Sequence, residues 1–249
     1  MTTLGRSFLV ALAVMAGGCA SLYRSTGVTP DASALLARAE AVNAPLSTLK
    51  GLGTLSVEGT GKHFQARVAW ICQPPDRFRI TVLGALGRPA ASLASDGSQV
   101  RFLSHDSGEF KQWQRGSVVS QAVLPIAVAP EDIADVLSGR IPIRTHDAAA
   151  VTTSNDTARR TVVLKQWGRV VQHIDFQRNE TLPDGYALYS NHGALDYGVS
   201  YGDFQEVAGY RLPARTDIDG RDGSRVSMRA DRYWPDVPVD PQVFILEPR

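Results

Sequence analysis

Two cysteines, Cys19 and Cys72, sit in contexts that give them different chemistry. Cys19 closes the run Ala16-Gly-Gly-Cys19-Ala20, behind an apolar stretch from Phe8 to Ala16 that Arg6 precedes. A positive start, an apolar run too short to span a bilayer and small residues at a cleavage point make a signal peptide. A cysteine directly after those small residues resembles the bacterial lipobox, where the thiol is diacylated and cleavage leaves Cys19 as the first residue. Cys72 then stands alone, so the mature chain has no internal disulfide. On an alternating apolar strand it reads as a small core residue.

Other reactive groups show no working arrangement. His63, His105, His146, His173 and His192 are scattered without ligand spacing. There is no zinc signature, no phosphate-binding glycine loop and no serine in a Gly-x-Ser-x-Gly setting. The run from Asp217 to Gly223 has the wrong register for a calcium loop and reads as a hairpin turn. No catalytic residue, metal or cofactor is expected, and the chain is not read as an enzyme. A net charge of +1 with both signs interspersed gives no basic face for nucleic acid. The expected chemistry is acylation of one thiol and non-covalent handling of apolar groups. Two or three acyl chains on Cys19 would anchor the chain firmly, at about 0.8 kcal/mol per buried methylene. Ala20, which is not acidic, resembles the residue that sorts such anchors to the outer membrane in Gram-negative bacteria.

The elements that would position an apolar site lie between Leu49 and Ser95. Three period-two stretches place Leu55 and Val57 on one face, then Phe64, Ala66, Val68, Trp70 and Cys72, then Phe78, Ile80 and Val82. The loop Leu83-Gly-Ala-Leu-Gly-Arg-Pro89 follows, with Leu86 where a polar turn is expected. Before this unit, Thr29-Pro30-Asp31 opens a short amphipathic helix with Leu35, Ala39, Val42 and Leu46 on one face, ended by Pro45 and expected to dock on a sheet. After it come strands over 90–94, 99–103 and 110–114, while 116–124 stays open between readings. A helix over 130–137 ends at Gly139, its apolar face aimed at the sheet's hollow. Further strands fall over 160–166, 170–178, 195–201, 211–218 and 225–234, with Asn155-Asp156 and Asp184-Gly185 as turns. Trp70, Trp113, Trp167 and Trp234 read as core, with Trp70 also facing a ligand. The fold expected is mainly β: an incomplete, half-open antiparallel barrel of about ten or eleven strands with short helices on its concave side. Residues 1–18 are the signal peptide, 19–28 the acylated cysteine and tether, and 29–249 one lipid-binding domain.

The order Leu49-Lys-Gly-Leu-Gly-Thr-Leu, Ala66-Arg-Val-Ala-Trp70, Arg77-Phe-Arg-Ile, Leu86-Gly87 and Leu137-Ser-Gly-Arg-Ile-Pro142 resembles LolB, within the LolA/LolB-like group of lipoprotein localisation factors. The close, Trp234-Pro-Asp-Val-Pro-Val-Asp-Pro-Gln-Val-Phe244, resembles the wider group. The match covers 49–142 and is diffuse over 151–234. It implies an outer-membrane lipoprotein that accepts acylated lipoprotein cargo from a periplasmic LolA-like carrier and inserts it into outer-membrane lipid, acting as a monomer. It implies an acyl-chain cavity, for which Phe64, Val68, Trp70, Phe78, Ile80 and Val82 are the expected walls, and a membrane-insertion loop bearing Leu86 with Leu83. Ala85, Arg88 and Pro89 depart from the family's loop. The alternative is an anchored lipid- or partner-binding envelope lipoprotein with the same fold and no transfer of lipoproteins.

Overall fold

A computed structural model of the chain describes residues 27–59, 62–115, 126, 128–154, 159–177 and 182–248. Cys19, the signal peptide, the 116–124 stretch and the Asn155-Asp156 turn lie outside the described residues.

Alternation of apolar and polar residues produces one antiparallel sheet of thirteen strands. They are β1 (Leu49–Gly59), β2 (Lys62–Gln73), β3 (Arg77–Leu83), β4 (Pro89–Asp96), β5 (Gln99–Ser104), β6 (Phe110–Gln114), β7 (Ala148–Thr153), β8 (Arg159–Gln166), β9 (Arg169–Gln177), β10 (Pro183–Tyr189), β11 (Leu195–Val207), β12 (Tyr210–Gly220) and β13 (Arg225–Pro235). The spatial order is β6-β5-β4-β3-β2-β1-β13-β12-β11-β10-β9-β8-β7. The chain thus meanders outward on each side of the β1–β13 pair. Strands β6 and β7 are the two ends of this order, so the barrel is not closed.

The count exceeds the expected ten or eleven by β7 and β10, which the sequence pattern does not mark as strands. The Asp184-Gly185 pair, expected as a turn, lies inside β10. Its polar side chain is tolerated because Arg159 Nη2 donates to Asp184 Oδ2 at 2.9 Å and Gln177 Nε2 at 3.2 Å. A Cβ on Gly185 would meet Val199 O at 2.7 Å, so glycine serves close strand approach there.

Helix α1 (Pro30–Ala41) begins as expected, with Thr29 Oγ1 accepting from the Ala32 N–H. Its buried Ala32, Leu35, Leu36 and Ala39 dock it on β7 and β8. Helix α2 (Pro130–Ser138) ends on Gly139 in the left-handed region at φ 71°, and packs on β2 and β3. Neither is long and apolar enough to cross a membrane.

The register defines two ends. The β3–β4, β5–β6, β8–β9, β10–β11 and β12–β13 turns gather at one, called here the open end. The other end is locked by helix termini. Asn43 Nδ2 donates to Ser138 O at 3.0 Å and to Arg211 O at 2.9 Å. The Arg140 guanidinium donates to the carbonyls of Asn43, Ala44 and Leu46. The core fills the concave face from this locked end, around Leu49, Trp70, Phe78, Ile174, Phe176 and Leu212.

Candidate apolar site on the concave face

Strand pairing sets Val57 opposite Phe64, Val68 opposite Val82, Trp70 opposite Ile80 and Cys72 opposite Phe78. All six residues expected as cavity wall therefore share the concave face. Exposure separates them, strand by strand. Val68 and Trp70 on β2 and Phe78 on β3 are sealed, at 0%, 3% and 0% exposure. Ile80 and Val82 are half-buried, and Phe64, nearest the open end, is 45% exposed. Leu55 and Phe102 are half-buried beside them on the same face. Along β2 and β3 the apolar surface thus grades from packed core to accessible wall toward the open end, while Val57, opposite Phe64 on β1, stays sealed at 4%.

Glycine shapes the packed part. A Cβ on Gly51 would stand 2.1 Å from two carbons of the Trp70 indole, so the ring occupies the space over the β1 backbone only because no side chain is there. The indole then meets Tyr233 edge-on, with centroids 5.7 Å apart. Cys72 is fully buried and unpaired with another cysteine, and burial pushes its thiol up to about 12, so it is inert.

The other half of the concave face holds a cavity of about 590 Å³, lined by Ile126, Arg144, Val171, Leu188, Tyr197 and Asp222 among others. Its wall is fastened to α2 through Asp132, which is 2% exposed. Arg144 donates both terminal nitrogens to that carboxylate, and the Tyr197 hydroxyl donates to it as well. Burial pushes the Tyr197 and Tyr186 phenols well up, so both stay neutral. Gln172, fully buried, donates to Pro142 O at 2.8 Å and accepts from the Arg144 N–H at 2.9 Å. These bonds hold α2 and the segment after it inside the hollow. Asp135 on α2 is half-buried; burial raises its carboxyl to about 6 against the opposing pull of Arg140.

At the open end the β3–β4 hairpin closes through the Gly84 N–H donating to Arg88 O at 2.8 Å. Leu86 stands at its tip, 96% exposed with φ 61°. Leu83 is not on the tip: it is half-buried at the end of β3, opposite Arg67. Trp167, expected in the core, is instead 86% exposed in the two-residue β8–β9 turn. The Gly168 that follows it between two strands was the available signal, since paired left-handed residues mark a hairpin. Trp113 is half-buried and Trp234 is 40% exposed near Arg232.

No protein-family model and no curated protein matches the chain. Solved structures share its fold. One, described as an outer membrane lipoprotein-sorting protein domain from Vibrio parahaemolyticus, has a TM-score of 0.61 and 8% identity over 84% of this chain and 94% of that one. A LolA superfamily protein from Nitrosomonas europaea has a TM-score of 0.53 and 12% identity over 86% of this chain and 96% of that one. A DUF1329 family protein from Desulfovibrio piger has a TM-score of 0.61 and 11% identity, with the same coverages of 86% and 96%.

Proposed function

We propose that this protein is an outer-membrane lipoprotein receptor, anchored through acylated Cys19, that takes acyl chains from a periplasmic LolA-like carrier and passes them to the bilayer. The observation that carries the reading is the graded concave face. Along β2 and β3, apolar residues sealed toward the locked end give way to accessible ones toward the end where Leu86 projects. Two structures of the same fold are described as a lipoprotein-sorting domain and a LolA superfamily protein, which supports it.

The energetics follow from the chemistry of the cargo. Each methylene exposed to water costs about 0.8 kcal/mol, so acyl chains do not cross an aqueous space bare. Hand-over between two apolar hollows is nearly balanced, because each offsets the same cost. The sequence has no nucleotide-binding loop, so direction comes from relative affinity, with the bilayer as final sink. Burying Leu86 contributes about 1.5–3 kcal/mol, enough for a transient dip into lipid while Cys19 holds the protein in place. The reading assigns the protein no catalytic step.

The test is transfer by the full chain reconstituted in phospholipid vesicles, offered a carrier loaded with a triacylated lipoprotein. Cargo is expected to leave the carrier and appear in the vesicles. Leu86→Glu is expected to fold and to accept cargo normally, but to slow delivery about tenfold or more, the equivalent of losing that insertion energy. Normal delivery by this variant would remove the loop's role. Cargo that stays on the carrier, while a free fatty-acyl probe still binds, would replace transfer with the anchored lipid-binding reading.

A further inference from the structure

We infer that the β8–β9 hairpin is a second membrane-contacting tip, so that the open end docks on a bilayer through Leu86 and Trp167 together. This rests on the membrane anchoring in the proposed function and adds a residue and an orientation to it.

The first ground is a shared device on distant hairpins. Leu86-Gly87-Arg88 and Trp167-Gly168-Arg169 both read large apolar, glycine, arginine. In each, the apolar residue and the glycine are consecutive left-handed residues, with φ of 61° and 73° in one and 53° and 76° in the other. A side chain in that region is disfavoured, and asparagine, aspartate or glycine normally fills it. The β11–β12 turn, at the locked end, has the same left-handed pair with a small side chain, Ala208-Gly209. Leu86 and Trp167 are also the two most exposed large apolar residues described, at 96% and 86%. Packing accounts for neither.

The second ground is position. Both tips lie at the open end, on opposite halves of the sheet. The third is the route of the tether. Val28 bridges Ala149 in parallel, with the Ala149 N–H donating to Gly27 O at 3.2 Å. Ala149 lies one residue from Ala148, which pairs with Lys165 close to the β8–β9 turn, and the Trp167 N–H donates to Asp147 Oδ2 at 2.7 Å. The chain therefore enters the fold from the open end, beside Trp167. Seven residues separate Gly27 from Cys19, a reach of about 28 Å at most over the eight steps between them. An acylated Cys19 is therefore joined to the fold at this end, which brings it nearest the lipid.

The side chains suit that surface. Tryptophan favours the boundary between headgroups and acyl chains. Arg88 and Arg169, each two residues beyond its tip, are placed to meet lipid phosphates while the apolar residue enters. Glu58, Asp147, Asp196, Asp219 and Asp222 stand among the arginines at this end, so docking depends on the tips more than on net charge.

The experiment reconstitutes the full acylated chain in vesicles of phosphatidylethanolamine and phosphatidylglycerol with brominated acyl chains. The emission difference between wild type and Trp167→Phe isolates Trp167. A blue-shifted difference, quenched by bromines near the headgroup end, is expected. A difference spectrum that is unquenched and water-like would overturn the inference. Trp167→Asn suits the turn's backbone and is expected to fold, to accept cargo from the carrier as wild type does, and to slow delivery several-fold. Unchanged delivery would also overturn it. Acceptance from the carrier, measured in parallel, separates the two ideas. Normal transfer with Trp167 in water defeats the docking geometry alone, whereas a quenched Trp167 without acceptance defeats the receptor and leaves the docking.

Discussion

Replacing Asp132 by alanine tests whether α2 is clamped in the hollow by the buried polar network. Asp132 is 2% exposed and accepts from both Arg144 terminal nitrogens and from the Tyr197 hydroxyl. Alanine removes the acceptor and strands a guanidinium and a phenol in the core. Breaking a buried pair costs about 3–5 kcal/mol. The Arg144 side chain is 34% exposed, so water relieves part of its charge and the lower figure applies, about 3 kcal/mol. For a domain of this size that is a fall in Tm of roughly 6–12 °C. Urea denaturation followed by tryptophan emission measures the cost. An apolar dye reports the hollow, and its binding is expected to rise as α2 loosens. Asp132→Ala with Arg144→Met removes the stranded charge as well, and is expected to cost little more than Asp132→Ala alone. A loss under about 1 kcal/mol, or costs that simply add in the double variant, would refute the clamp.

Two further outcomes follow from the same geometry. Asp135 has its folded carboxyl raised from 3.8 to about 6 by burial, so the ionised form is the costly one. Its contribution is favourable below about pH 4 and is lost as the pH rises through 6; Asp135→Asn is thus expected to match wild type near pH 4 and exceed it by about 3 kcal/mol at pH 8, in urea melts at the two pH values. Gly51→Ala would drive a methyl into the Trp70 indole. It is expected to cost about 1–3 kcal/mol and to alter the near-ultraviolet circular dichroism, which an unchanged spectrum and midpoint would contradict.

Much of the architecture was legible locally. Period-two alternation placed Phe64, Val68, Trp70, Phe78, Ile80 and Val82 on one face, because a strand's side chains alternate whatever surrounds it. Thr29-Pro30 and Gly139 bounded the two helices, because caps act within a turn of the residues they satisfy. The apolar tip at Leu86 was conspicuous because its neighbours demand a turn.

Tertiary structure decided the rest. Asp184-Gly185 has turn chemistry, yet Arg159, Gln177 and a close Val199 carbonyl draw it into β10. Trp167 has core chemistry, yet a two-residue turn leaves it 86% exposed. Which of the six concave residues is sealed and which stays accessible depends on where α2 lies, and that is set by Asp132, Arg144 and Tyr197, brought together from distant parts of the chain. Alternation determines the face a side chain takes. How deep it sits, and which end of the barrel meets the tether, depend on segments that no local pattern relates.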